Sequence, residues 1–158
     1  MNAVAIDFDA VLGDTGPLLR LWTEDLARRN LTDATGVDRM LERFAEDHAA
    51  AYLRPDGAAN AALRRLRAAG VRIGAFTDSP EPLARVAAAQ LGVARHLEAL
   101  ECGPEALDRL LATLGPDAVV VRSLDDLRVV LAPARPGIEL GWGTCGSADC
   151  SSRSRRVC

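Results

Sequence analysis

The sequence predicts an α/β protein with a doubly wound parallel sheet and two extra helices inserted after the first strand. Short apolar runs rich in β-branched residues alternate with amphipathic stretches of helical length, which is the pattern of repeated βα units joined by right-handed crossovers. Two further helical stretches, within residues 15–54, interrupt this pattern before the second strand. With 158 residues and 49% hydrophobic content, the chain is large enough for one core of this kind.

The first apolar run, from Ala3 to Ile6, does not alternate with polar residues and therefore predicts a strand buried on both faces. Asp7 and Asp9 follow at its carboxyl end, which is where open parallel sheets bind ligands. Residues two apart in an extended chain project in the same direction, so both carboxylates can share one site. They repel each other unless a cation lies between them or one holds a proton. An aspartate-rich turn continuing to Asp14 is the alternative interpretation.

Two amphipathic helices are predicted after this strand. The first begins at Pro17, a favoured first helical residue, and closes at Asn30. The apolar stripe of the second runs from Val37 to Tyr52, and the Arg-Pro-Asp-Gly turn at residues 54–57 ends it.

A third amphipathic helix, residues 58–69, leads into the second predicted strand, residues 71–76. The polar residues that follow the strand at once are Thr77, Asp78 and Ser79. Ser79 is predicted to cap the next helix, with Pro80 as its first residue. Hydroxyls and backbone N–H groups would then gather at a helix N-terminus, which suits an anion. An ordinary, well-capped strand-to-helix turn would have the same residues.

The rest of the chain continues the alternation of helices and strands. The predicted elements are a helix over residues 104–114, a strand over 118–121, a helix over 125–131 and a strand near 138–140. Serine, glycine, cysteine and arginine dominate residues 143–158, which predicts a disordered tail. The alternative is a zinc site formed by Cys145, Cys150 and Cys158, but these residues lack paired Cys-x-x-Cys spacing and an evident fourth ligand.

Composition limits the expected partners. A net charge of -3, with no basic cluster outside the tail, argues against nucleic acid and anionic membranes as partners. The first apolar run is too short for a signal peptide or a membrane span, so a cytoplasmic location is expected. All 19 basic residues are arginine, which excludes chemistry that needs a lysine. The aliphatic stripe of the two inserted helices is compatible with a homodimer.

The segment from Asp7 to Leu18, DFDAVLGDTGPL, resembles the first motif of the haloacid dehalogenase (HAD) superfamily, in its phosphoglycolate phosphatase-like branch. Residues 70–80, GVRIGAFTDSP, are similar to the approach to the second motif of that family. The resemblance implies a Rossmann-like HAD core. It divides the chain into a core of residues 1–14 and 55–142, a small helical cap of residues 15–54 and the tail of residues 143–158.

The resemblance implies a magnesium-dependent phosphatase that hydrolyses the phosphate monoester of a small phosphorylated metabolite. Asp7 would attack phosphorus to give an aspartyl-phosphate, while Asp9 would protonate the leaving oxygen and later activate water. Mg²⁺ would hold the reactants in line and cancel their repulsion. Thr77 would bind a phosphate oxygen, with help from the backbone donors of Asp78 and Ser79.

The second half of the family pattern is altered in this chain. Glu101 stands near the place of the family's lysine, and Arg122 near that of an acidic metal ligand. The candidate metal ligands are Asp7, Asp9, Asp125 and Asp126. Arg122 either occupies the metal position beside the first two aspartates or replaces the missing lysine at the phosphate. A phosphomutase, or a catalytically degenerate HAD-like domain that binds a ligand or a protein, therefore remains open.

Overall fold

The computed structural model describes residues 1–29 and 36–132. Its strands are β1 (Ala3–Asp7), β2 (Arg72–Thr77), β3 (Ala99–Cys102) and β4 (Val119–Val121). Its helices are α1 (Gly16–Arg29), α2 (Val37–Tyr52), α3 (Gly57–Ala68), α4 (Glu81–Gln90), α5 (Ala106–Leu114) and α6 (Leu124–Leu131). A π-helical turn (Phe8–Leu12) and a 3₁₀ turn (Ala94–His96) complete the described elements. The predicted strand near residues 138–140 and the predicted tail lie outside the described residues.

The four described strands are all parallel and lie in the order β3-β2-β1-β4, which confirms the predicted α/β class. Successive residues of β1 face opposite sides of the sheet. Ala3 and Ala5 pack with α5 on one face, whereas Val4 and Ile6 belong to the larger core on the other. Both faces are therefore covered by helices. This explains why the first apolar run does not alternate with polar residues.

Helix α5 approaches the sheet closely over Gly74 of β2. A Cβ atom at this position would lie 2.5 Å from Cδ1 of Leu110 and 3.0 Å from Cδ1 of Leu114. A Cβ atom at position 74 would fit only if the Leu110 and Leu114 side chains shifted, so the close approach of two layers favours glycine there, and its backbone angles do not.

The two helices inserted between β1 and α3 share the core of the sheet domain. One hydrophobic cluster contains Trp22 of α1, Leu41 of α2 and Ile6 of β1. The most extensive helix contacts of α2 are with α4, where alanines such as Ala45 and Ala87 are fully buried. Small side chains let two helix axes come close together. The insert is thus docked along the core, while its boundaries as a cap stay a prediction.

Strand β3 is absent from the sequence prediction. Its four residues are each only partly buried, and Glu101 lies among them, so neither an alternating nor a continuously apolar pattern marks the strand. The strand is nonetheless fixed by its pairing with β2, in which Phe76 faces Glu101 and Thr77 faces Cys102. None of the helices within the described ranges is long and apolar enough to cross a membrane.

The prediction that Ser79 caps the helix after β2 is wrong. The capping position belongs to Pro80, which makes no side-chain hydrogen bond to the helix, and α4 begins at Glu81. The physical reason is that the Ser79 hydroxyl is engaged elsewhere. Its Oγ lies 2.6 Å from Oγ1 of Thr15, in a buried contact across 64 positions of the chain.

Candidate active site

The two predicted aspartates lie where the central strand β1 ends. Asp7 is the last strand residue, and its Oδ1 accepts a hydrogen bond from the N–H of Ala10 at 3.2 Å. The N–H of Gly13 donates to the carbonyl of Phe8 at 3.0 Å and closes the π-helical turn. Phe8 is fully buried and anchors this turn. As a result, the chain reverses directly at the sheet edge and leaves Asp7 and Asp9 partly buried there.

The carboxylate of Asp9 is held from two distant segments. Its Oδ1 accepts from the backbone N–H of Thr15 at 2.9 Å and from the Thr15 hydroxyl at 2.5 Å. Its Oδ2 accepts from the hydroxyl of Thr77 at the end of β2. Thr15 is fully buried and Thr77 nearly so, which shields these hydrogen bonds from water.

Ser79 closes this arrangement into a ring. Because the single hydroxyl proton of Thr15 goes to Asp9, Ser79 is the donor in the hydroxyl pair that it forms with Thr15. The backbone N–H of Ser79 donates to Oγ1 of Thr77 at 3.1 Å. We call Asp9, Thr15, Thr77 and Ser79 the Asp9 ring. In this structure the Thr77 hydroxyl, which is expected to bind phosphate, donates to Asp9, and the Ser79 hydroxyl pairs with Thr15, so their contact with phosphate stays a prediction.

Asp7 is much less constrained than Asp9. Over the described ranges its Oδ1 accepts one backbone hydrogen bond and its Oδ2 accepts none. Asp78, the third residue predicted at the phosphate, is exposed beside the ring. The two neighbouring carboxylates therefore differ in their hydrogen bonding, since Asp9 is fixed and Asp7 has an oxygen available for a new bond.

The segment after β4 lies next to the end of β1, because Ile6 pairs with Val121. The backbone N–H of Arg122 donates to Oδ2 of Asp126 at 3.0 Å, and Ser123 caps α6 by accepting from the N–H of Asp126 at 3.1 Å. The N–H of Arg122, followed by the Ser123 hydroxyl, lowers the pKa of Asp126. Asp126 is thus held at the sheet edge by hydrogen bonds to the two residues that precede α6.

The other two residues predicted here are both exposed. Asp125 forms an ion pair with Arg128 at 2.8 Å, on the solvent side of α6. The Arg122 guanidinium forms no ion pair with Asp7 or Asp9 in the part of the chain that the structure covers. The arrangement in which Arg122 takes the place of a metal ion between these aspartates is therefore not the one observed.

We tested the donor set against the magnesium that the resemblance implies. Among residues 1–29 and 36–132, no group of three or more His, Cys, Asp or Glu side chains lies close enough together to hold a metal ion. Asp9 already accepts three hydrogen bonds, so Asp7 and Asp126 remain as candidate ligands at adjacent strand ends. Mg²⁺ usually binds through one or two carboxylates together with water and substrate phosphates. Asp7 and Asp126 match this number of protein ligands and would leave the other positions of the ion to water and substrate.

Glu101, at the position compared with the family's lysine, is paired with a cation. Its Oε2 accepts from Nε of Arg109 at 3.0 Å. The two other guanidinium nitrogens of Arg109 donate to the carbonyls of Pro104 and Cys102, each at 2.6 Å. Arg109 therefore neutralises Glu101 and holds the loop between β3 and α5, in which Gly103 donates to the carbonyl of Thr77 at 2.8 Å.

Cys102 lies beside Thr77 in the sheet register. Burial, followed by the charges of Glu81 and Glu101, raises the pKa of its thiol to about 11. A thiol with this pKa is almost entirely protonated at neutral pH, so Cys102 is not a nucleophile of this site.

Thr15 and Arg109 belong to the site but were not predicted from the sequence. Thr15 stood within the quoted motif, and a buried threonine shortly after two aspartates is a signal that could have indicated its role. No local pattern indicates Arg109, because the contacts of its guanidinium cross a loop and a strand end.

Comparison with known proteins gives one informative match. No protein-family model and no curated protein matches the chain. Among solved structures, the chain is similar to a Thermotoga maritima protein described as a "putative beta-phosphoglucomutase", with 21% sequence identity and a TM-score of 0.53. The match covers 82% of this chain and 81% of that one. The two proteins therefore share an α/β fold over most of their length.

Proposed function

We propose that this protein is a magnesium-dependent phosphatase that hydrolyses a small phosphate monoester through an aspartyl-phosphate on Asp7. The observation that carries the proposal is the contrast between the two carboxylates at the end of β1. Asp9 is fixed by three hydrogen bonds, whereas Asp7 has one oxygen without a hydrogen bond among the described residues. The resemblance of residues 7–18 to the HAD motif supports the same assignment.

In the first step an oxygen of Asp7 forms a bond to phosphorus while the ester P–O bond breaks. Asp9, carrying a proton in this step, transfers it to the leaving alkoxide. In the second step Asp9 takes a proton from water, which attacks phosphorus and releases Asp7 and inorganic phosphate. Bound Mg²⁺ would be held by Asp7 and Asp126 and would supply neutralisation of the phosphate charge.

The Asp9 ring supports this proposal because it orients the proton-transferring group. Each carboxylate oxygen has two lone pairs, so Oδ2 of Asp9 can face a substrate oxygen while it still accepts from Thr77. Thr15 and Thr77 come from different segments, which fixes the carboxylate at the edge of two neighbouring strands. Such preorganisation favours proton transfer to an alkoxide, which is strongly basic and leaves poorly unless it is protonated.

The surroundings of Arg122 favour a role at the phosphate over a role in place of the metal. The residue is exposed, follows a strand adjacent to β1 and has no ion pair with Asp7 or Asp9 within the described ranges. Guanidinium groups bind phosphate oxygens in pairs. We infer that Arg122 supplies the positive charge that the missing lysine would provide.

Two observations keep alternatives in view. A domain that binds phosphate esters without turnover is favoured by the pairing of Glu101 with Arg109, which among the described residues leaves no unpaired cation at that point of the site. A phosphomutase is favoured by the name of the solved structure with the shared fold. A mutase would use the same carboxylate pair but would need closer exclusion of water.

Turnover of a panel of phosphate monoesters, measured with and without Mg²⁺, tests the proposal. We expect hydrolysis only with Mg²⁺ and a loss of about 10³-fold or more in Asp7→Asn, because that variant lacks the nucleophile. Asp117→Asn is the matched control, since Asp117 is exposed in the turn before β4, at the opposite end of that strand. Equal turnover in wild type and Asp7→Asn would contradict the proposal, and a wild type without turnover or Mg²⁺ binding would favour the binding domain.

A further inference from the structure

The proposed reaction does not involve a group of basic residues at the other edge of the sheet, where the strands begin. His96 ends the 3₁₀ turn just before β3 and is only 9% exposed. Its Nε2 accepts from Nε of Arg95 at 3.3 Å. Arg67, in the last turn of α3, reaches across and donates to the carbonyl of Arg95. A buried imidazole is thus enclosed by guanidinium groups from two elements.

A cavity of about 350 Å³ adjoins this group, and its charged lining residues are Arg67, Arg72, His96 and Glu98. Glu98 is the acidic residue of the lining, and both of its oxygens accept from Nε of Arg72, at 3.1 and 3.0 Å. Arg72 also donates to the carbonyls of Leu114 and Thr113 at the end of α5. Glu98 and Arg72 therefore neutralise each other, and the charge of Arg67 has no carboxylate partner in this lining.

The charges that shift the pKa of His96 are all positive. Burial lowers the pKa of His96 first, and the positive charges of Arg95, Arg67 and Arg64 lower it further. In the observed hydrogen bond, Nε2 acts as an acceptor, which requires the neutral imidazole. An anion in the cavity would favour the protonated form of His96 instead, because it would accept hydrogen bonds from a protonated Nε2 and from Arg67 together.

We propose that this cavity binds a phosphate-sized oxyanion, either free or as the phosphoryl group of a metabolite, through Arg67 and His96. Binding couples to the uptake of a proton by His96, which then donates to the anion instead of accepting from Arg95. The cavity lies at the start of β2, and the six residues of that strand separate it from Thr77 by about 17 Å. The cavity is therefore distinct from the candidate active site, and its test does not depend on catalysis.

The chain offers a direct readout because it contains only two histidines, His48 and His96. We suggest NMR titration of both imidazoles in chloride and in inorganic phosphate at equal ionic strength. Phosphate is expected to raise the pKa of His96 by about one unit relative to chloride. Arg67→Gln should remove most of this shift. Arg65→Gln, which alters an exposed arginine of the same helix outside the cavity lining, should retain it.

A second series with methylphosphonate distinguishes the two sources of the anion. An equal shift of His96 assigns the cavity to the phosphoryl group of a larger molecule, and a shift with inorganic phosphate alone assigns it to the free ion. The proposal is overturned if chloride and phosphate give the same His96 titration. It is also overturned if Arg67→Gln and Arg65→Gln respond to phosphate equally, since the effect would then be general screening.

Discussion

Thr15 joins Asp9 and Ser79 through one buried hydroxyl group. Thr15→Val keeps the shape of the side chain but leaves the Ser79 hydroxyl and one Asp9 oxygen without this partner. We expect a loss of about 1–3 kcal/mol in the free energy of unfolding, together with reduced turnover. Thr15→Ser, which keeps the hydroxyl, should retain most of both. Chemical denaturation of the three proteins measures the effect, and wild-type stability in Thr15→Val would show that the ring contributes little.

Cys102 provides a second test at the scale of one residue. Its pKa of about 11 leaves roughly one thiol in a thousand ionised at pH 8. Alkylation followed by peptide mapping should therefore modify Cys102 far more slowly in the folded protein than after denaturation. Rapid modification of folded Cys102 at neutral pH would show that the thiol is neither buried nor surrounded by carboxylates as described.

Single residues differ in how far the sequence predicts their roles. Asp7 and Asp9 could be found because they follow a buried run at a sheet edge, where chemistry is expected. The partner of Ser79 could not, because Thr15 lies 64 positions away and only the folded chain brings the two hydroxyls together. The pairing of Glu101 with Arg109 likewise depends on where β3 ends and α5 begins.

Among the secondary-structure elements, the packing of α5 on the sheet depends on Gly74. A methyl group there would contact Leu110 at 2.5 Å, so Gly74→Ala should cost about 1–3 kcal/mol of stability. Gly57→Ala is the control, since a Cβ atom at that first residue of α3 meets nothing within 4 Å. The control should be neutral or slightly stabilising, because alanine favours helix more than glycine does. Equal thermal stability of the two variants would contradict the close approach of α5.

Elements whose apolar residues follow a clear pattern were predicted from the sequence, and elements without such a pattern were not. The stripe of α2 and the apolar run of β1 each bury a face that their sequences mark clearly. Strand β3 gains its conformation from pairing with β2. This pairing cannot be inferred from a run of four partly buried residues. The docking of α2 along α4 could not be predicted either, because an apolar stripe shows which face of a helix is buried but not which element packs against it.

At the scale of the whole molecule, His96 should affect how stability varies with pH. Its pKa is lowered in the folded protein, so its contribution is fully present above the ordinary histidine value of 6.5. The contribution is lost as the pH falls through the lower pKa of the folded state, because unfolding then lets the imidazole take up a proton. Wild type should therefore lose stability over this range more steeply than His96→Gln. Parallel curves of melting temperature against pH for the two proteins would contradict this expectation.

The candidate aspartates and the basic group around His96 lie at opposite edges of the sheet. Asp7, Asp9 and Asp126 lie where the strands end, and the group around His96 lies where they begin. The sequence predicts the acidic edge through its strand ends. It does not indicate the basic edge, because Arg67, Arg95 and His96 come together from separate elements of the fold.

The central claim is that Asp7 accepts a phosphoryl group, and direct detection of this group on the protein tests it. Wild type would be incubated with Mg²⁺ and a small acyl phosphate, quenched in acid and mapped by mass spectrometry, with Asp7→Asn treated in parallel. We predict the mass of one phosphoryl group on the peptide that contains Asp7, removed by hydroxylamine and absent from Asp7→Asn. Catalytic turnover with no phosphoryl group on Asp7, or the same modification in Asp7→Asn, would contradict the account.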